Sequence, residues 1–223
     1  MADIHHHKKI KKMKKLILIG AGSWGLEVWS WLENANGYGT EFIFKGFLSN
    51  NLNEIEQQKY CDGKIIGLID GYEPKKDDVF VCTIGNFQSK IRVTTMFKKN
   101  GAIFVNLIHK SVIFFKGYQL GDGVIISPNC IISNNAKIKD HVSINLCSTI
   151  GHDTQIGEFS VISSQCDLTG GVILDENVFL GSKVTIAPNK KVCADVKIGL
   201  GSVIVRNIKT PGTYMGNPAK KIM

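Results

Sequence analysis

From Leu120 to Ile204 an aliphatic residue stands at every sixth position: Leu120, Ile126, Ile132, Ile138, Ile144, Ile150, Ile156, Ile162, Leu168, Leu174, Leu180, Ile186, Val192, Ile198 and Ile204. Four residues after most of them comes a second, smaller residue, among them Val124, Cys130, Ala136, Val142, Ser148, Thr154, Cys166 and Val184. A period of six matches neither the 3.6 of an amphipathic helix nor the 2 of a half-buried strand. It is the hexapeptide repeat of a parallel β-helix with triangular coils, three hexads to a coil, and the stretch amounts to about five coils. The large aliphatics are expected inside the prism and the small residues near its corners. Gly121, Gly151, Gly157, Asp175, Gly181 and Gly199 are expected to supply the turns.

Upstream the pattern changes. Residues 16–19 form a short apolar run of the kind that makes a buried parallel strand. Gly20, Gly22 and Gly25 then spell G-x-G-x-x-G, and Leu26, Val28, Trp29 and Leu32 give a helical apolar face. Strand, glycine turn and helix are the context in which this motif lets backbone approach a ligand and offers helix amides to an anion. Trp29 and Trp31 read as packing residues. Further strands are expected over residues 42–48, 79–84 and 101–106, with a helix over 88–99. Three or four short strands with two helices make a truncated Rossmann-like domain. A dinucleotide enzyme carries an acid about 20 residues beyond its glycines. Here the second strand ends at Ser49 and Asn50, with no carboxylate before Glu54, which argues against a nicotinamide-dependent oxidoreductase.

The expected layout is therefore a leader or tag-like tail over residues 1–12, a small α/β domain over 13–108, a β-helix over 109–204, and a capping segment over 205–223. Met13 is the expected natural start, so that His5, His6 and His7 belong to the leader and hold no metal. The net charge of +8 invites a nucleic-acid reading. Much of it sits in Lys8, Lys9, Lys11, Lys12, Lys14 and Lys15, and no aromatics interleave with a basic stripe, so nucleic acid is not an expected partner. No apolar run is long enough to span a bilayer, and the first residues do not form a secretory signal. The six cysteines show no C-x-x-C spacing and read as free thiols of a cytoplasmic protein, Cys130 and Cys166 as small inward residues of the repeat. No metal is expected.

Four places together resemble a known family: GAGSWG at 20–25, IGN at 84–86, N-x-x-x-x-I-G-H-D from Asn145 to Asp153, and GNPAK at 216–220. With the small α/β domain in front of the repeat, the chain is similar to bacterial hexapeptide-repeat sugar acetyltransferases. These include the nucleotide-sugar N-acetyltransferases and the sialic-acid O-acetyltransferase-like proteins. The resemblance implies a left-handed β-helix, a homotrimer with acetyl-CoA lying between neighbouring prisms, and a nucleotide-linked 4-amino-6-deoxy sugar held by the N-terminal domain. UDP or dTDP is the expected nucleotide and surface-glycan synthesis the expected setting.

Acetyl transfer from a thioester needs a base for the attacking amine or hydroxyl and donors for the oxyanion. His152, on an outer turn, is the candidate base, with Asp153 to orient or polarise it. Asn145 is expected near His152, touching the acetyl or pantetheine end of the cofactor, while Gly170, Ser182 and Leu200 match cofactor-contacting positions of the family. Gly20, Gly22, Ser23 and Trp24 are expected near the phosphates or sugar, and Asn50, Gly85 and Asn86 near the nucleotide. Val161 replaces a second histidine common in relatives, and His141 matches no motif and reads as structural. The open alternatives are O-acetylation of a sugar such as sialic acid, which would use the same residues, and a non-catalytic scaffold or sugar-nucleotide sensor.

Overall fold

The computed structural model describes residues 12–51 and 65–223. His5, His6 and His7, Glu54 and Cys61 lie outside the described residues. The hexads build a parallel β-helix of two- and three-residue strands arranged as three sheets, two of five and six strands and a third of eight that includes two strands of the C-terminal segment. Strand pairs are set eighteen residues apart: Lys137 beside Gln155, Ser143 beside Val161, Thr149 beside Asp167. Three hexads thus close one coil. Each inward residue then stacks on its counterpart in the next coil, and the aliphatics from Ile126 to Ile204 are at most 2% exposed. Burial of each such side chain contributes about 1.5–3 kcal/mol. The smaller residues, Val124, Cys130, Ala136 and Val142 among them, complete the same core.

The corners differ from expectation. The left-handed backbone of the turns falls on Asn129, Asn135, His141, Cys147, Asp153 and Phe159, with φ between 58 and 61°. Asn, Asp and His tolerate that region better than most residues. The predicted turn glycines sit two places earlier and serve another need. A Cβ on Gly157 would lie 2.4 Å from the carbonyl carbon of Asp175, and one on Gly151 2.6 Å from that of Thr169. Those glycines let successive corners stack closely.

The N-terminal unit contains β1 (Lys14–Ile19), α1 (Ser23–Trp31), β2 (Phe42–Leu48), β3 (Ile65–Gly67), β4 (Asp78–Cys82) and α2 (Phe87–Lys99). Its sheet is parallel, in the order β3-β2-β1-β4. Trp29 packs against Phe44 and Phe47, and Trp31 is buried, in keeping with a packing role for both. The strand expected over residues 101–106 is reduced to one bridge, Phe80 to Phe104. The chain there is already descending to the β-helix, whose first strand, Leu107–Ile108, pairs with Ile125–Ile126. At the other end, Gly212–Gly216 pairs with Val196–Ile198 and turns back as Ala219–Lys221, lengthening the same face.

His141 lies where the two units meet. Its ring stacks on Phe159 at 5.1 Å and meets Phe104 edge-on at 4.8 Å. Neither ring nitrogen has a hydrogen-bond partner among the described residues. Burial, with Lys98 and Lys90 adding to it, pushes the imidazole pKa down to about 4. Above the ordinary value of 6.5 the ring is neutral in both folded and unfolded chains. Below that pH the unfolded chain takes up a proton that the folded one refuses, so stability falls by about 1.4 kcal/mol per pH unit. Urea unfolding of the wild type between pH 6.5 and 5 should show this loss. His141→Phe should flatten it, since Phe159 occupies the same left-handed corner position. Equal slopes in the two proteins would contradict this account of the junction.

Candidate active site

His152 and Asp153 occupy the second and third places of a corner, between the strands Thr149–Ile150 and Gln155–Ile156. The left-handed backbone at Asp153, φ 58°, turns its carboxylate back along the edge. His152 Nδ1 and Asp153 Oδ2 are 2.8 Å apart, and Asn135 Nδ2, one coil earlier, donates to Asp153 Oδ1 at 3.1 Å. The hydrogen bonds from His152 and Asn135 hold the Asp153 carboxyl below its usual range. A carboxylate fixed in this way selects the tautomer with the proton on Nδ1, leaving the Nε2 lone pair to accept a proton. Sequence reasoning did not find Asn135, which looks like any corner asparagine.

Gly170, one coil further along the same edge, clears the space for this ring. A Cβ there would lie 2.4 Å from His152 Nε2 and 2.5 Å from Cε1. The imidazole side chain is 66% exposed, so the ring can be reached by a reactant arriving from outside the chain.

A second cluster lies elsewhere. Where the α/β unit meets the β-helix, a cavity of about 300 Å³ is lined by Ser23, Trp24, Gly85, Lys90, Asn145 and Val161, among others. The glycine turn feeds it: Gly20 holds φ at 108°, and the buried Thr83 hydroxyl donates to its carbonyl at 2.7 Å. Gly25 has no room for a side chain, since a Cβ would meet the Gly20 oxygen at 2.2 Å. Gly85 also lines a neighbouring hollow with Asn86, Phe179 and Lys197. The Asn86 side chain accepts from Ser89 N at 2.9 Å and caps α2. Asn50 is spent on its own loop: Oδ1 accepts from Ile69 N and Asp70 N, and Nδ2 donates to Asp70. Asp70 thereby brings to the end of β2 a carboxylate that the sequence did not place there.

Asn145 follows the strand Ser143–Ile144, whereas His152 follows the next strand, Thr149–Ile150, on another face. Asn145 lines the cavity with Ser143 and Val161, and His152 does not. Ser182 and Leu200 follow the strands Phe179–Leu180 and Val196–Ile198, further along the Asn145 edge, and both are exposed. The expected cofactor contacts therefore divide between two edges of one prism, Gly170 with His152 on one and Asn145, Ser182 and Leu200 on the other.

No family model matches the chain. A GDP-perosamine N-acetyltransferase of Escherichia coli O157:H7 is 28% identical over 148 residues, 64% of this chain and 67% of that protein. A UDP-3-O-acylglucosamine N-acyltransferase of Bordetella avium is 26% identical over 104 residues, 45% of this chain but only 29% of that protein. Among solved structures, the acetyltransferase domain of PglB from Neisseria gonorrhoeae superposes with a TM-score of 0.83 at 24% identity, covering 94% of this chain and 100% of that one. PerB from Caulobacter crescentus, in complex with CoA and GDP-perosamine, gives 0.84 at 22% identity, covering 95% and 99%. At these identities the structures establish the fold. The homologues are hexapeptide-repeat sugar acyltransferases, and the chain is similar to them.

Gly170→Ala tests the geometry of the edge. The added methyl should displace the His152 ring and shift its imidazole NMR resonances while leaving the β-helix folded, because Gly170 itself is not left-handed. Unchanged His152 resonances would contradict the packing described.

Proposed function

We propose that the protein is an acetyl-CoA-dependent N-acetyltransferase acting on the amino group of a nucleotide-linked amino sugar, with His152 as general base. The observation that carries this reading is the Asn135–Asp153–His152 chain of hydrogen bonds, which holds an exposed imidazole on a prism edge above Gly170 with Nδ1 engaged. In the proposed step the acceptor nitrogen attacks the thioester carbonyl directly. Nε2 takes the proton released from nitrogen, the carbonyl oxygen carries the transient negative charge, and as the carbon–sulfur bond breaks Nε2 returns that proton to the sulfur, so that coenzyme A leaves as the thiol. No acyl-enzyme is needed. Of the expected nucleotides, UDP and dTDP now stand beside GDP, which the perosamine relatives carry in their names.

The reading requires a second copy of the chain. His152 and the cavity lie on different edges, separated by the face whose outward residues are Ile113, Ile131, Thr149, Asp167, Thr185 and Val203. These are mostly β-branched, and Ile113 is 52% exposed. Packing that face around a threefold axis would bring the His152 edge of one left-handed prism against the Asn145 edge of the next, with acetyl-CoA between them. The α/β unit, Rossmann-like in its parallel sheet and glycine turn, would hold the sugar nucleotide. Among the described residues no helix is long and apolar enough to cross a membrane. Both substrates are cytoplasmic compounds, and we place the reaction there, in the making of a surface glycan.

Thiol release from acetyl-CoA with a panel of GDP-, UDP- and dTDP-linked 4-amino sugars, and sialic acid beside them, tests the proposal. Turnover with an amino-sugar nucleotide supports it. Turnover with sialic acid alone moves the protein to O-acetylation, and none at all favours a scaffold or sensor. His152→Ala should lower kcat at least about 100-fold, the scale of a lost general base. Asp153→Asn should also lower kcat, through the wrong tautomer. Normal turnover in the His152→Ala protein would remove that residue from the mechanism.

A further inference from the structure

Lys90 is a lysine whose burial is costly. It is 2% exposed, on the first turns of α2. Its Nζ donates to the His141 carbonyl at 2.6 Å and to the Ser143 hydroxyl at 3.1 Å. An ammonium has three protons to donate, and the third has no acceptor among the described residues. No carboxylate pairs with it there either. A buried cation without a counter-ion is normally neutralised or replaced by an apolar residue.

Three features around Lys90 show what the site lacks. Lys90 lines the cavity between the α/β unit and the β-helix. On the same wall, Asn145 Oδ1 is buried without a hydrogen-bond partner. The cavity continues past Gly85 and Phe179 to Lys197 and to the N-terminus of α2, whose first turn carries no acid. Glu27 is the one carboxylate on the walls of these two hollows. The balance is cationic, with an acceptor oxygen waiting for an N–H or O–H.

We propose that Lys90 is the anion-recognising group of the acceptor site: its unused proton binds a negatively charged oxygen of the acceptor, while Asn145 Oδ1 accepts from a neighbouring hydroxyl or amine. The anion is the diphosphate of a sugar nucleotide or the carboxylate of an acidic sugar. The inference rests on the acetyltransferase reading for the identity of the acceptor, but not for the binding itself. Lys90 is a specificity and positioning residue and moves no proton.

Calorimetric titration with inorganic pyrophosphate and, separately, with N-acetylneuraminate distinguishes the two sources. For the anion that binds, Lys90→Met should weaken affinity at least about tenfold, as expected for a hydrogen bond to a charged group. Lys90→Arg should stay within about threefold. A merely structural lysine would lower the melting temperature in the Met variant and leave affinity unchanged, whereas removal of a costly buried charge should hold or raise it. A second signature is the pH profile. Burial lowers the Lys90 pKa to about 8, so wild-type affinity should fall as pH rises through that value and the Arg variant should not follow. The groups facing Nζ do not imitate this: Cys82 on β4 is pushed upward by burial, and the His141 carbonyl and Ser143 hydroxyl do not ionise near pH 8. If the Met variant does not fold, the Lys90 Nζ resonance of the wild type must move on pyrophosphate or neuraminate addition. Unchanged affinity in Lys90→Met, a still resonance, or no binding of either anion would overturn the proposal. Anion binding through Lys90 without any acetyl transfer would overturn instead the acetyltransferase reading.

Discussion

The stacking of one inward aliphatic on its counterpart eighteen residues later is the constraint from which the rest follows. It fixes three hexads to a coil, so the backbone must turn sharply at every sixth residue. Each turn places one residue in the left-handed region and leaves its neighbours pointing outward in aligned rows. Those rows are where chemistry can be added without disturbing the core. Asn135, Asp153, His152 and Gly170 are residues of one such row, and their contacts are possible because the coils repeat in register. An insertion of one residue between Asn135 and Asp153 would turn a strand inside out and break this chain of contacts.

The second cluster comes from a different physical situation. Here the α/β unit closes over the first coils, and the junction is built from groups that do not sit easily in a core. Among the described residues, His141 is buried with no hydrogen bonds from its ring, and Lys90 is a buried cation with no carboxylate partner. Such groups weaken the folded state, and proteins keep them where they serve a purpose. For Lys90 the purpose proposed is the acceptor anion. His141 fills space between Phe104 and Phe159, and its cost is felt only as the medium becomes acid.

The β-helix could be read from the sequence because its code is one-dimensional: the same residue type recurs at a fixed interval and the core is made of that recurrence. The glycine turn after β1 and the His152 corner were legible for a similar reason, each being a short local pattern. What stayed hidden depends on residues far apart in the chain. Lys90 sits in a helix with other lysines, Lys98 and Lys99, and nothing local distinguishes it until His141 and Ser143 are folded against it. Asp70 reaches Asn50 only through the short strand β3, whose three residues Ile65, Ile66 and Gly67 give too little alternation to notice. Asn145 was expected beside His152 from its closeness in sequence. One two-residue strand intervenes, and in a triangular coil that is enough to carry it to another edge.

The central claim is that base and acceptor cleft meet only between two copies of the chain. Mixing two variants tests this most directly: His152→Ala, which keeps the cleft, and Asn145→Ala, which keeps the base but removes the unpartnered acceptor of the cleft, each expected to lose most thiol release alone, unfolded together and reassembled in equal amounts. If each site takes His152 from one subunit and Asn145 from its neighbour, random assembly restores roughly a quarter of wild-type thiol release from acetyl-CoA. Activity no higher than the average of the separate variants would place both residues in one subunit and contradict the account.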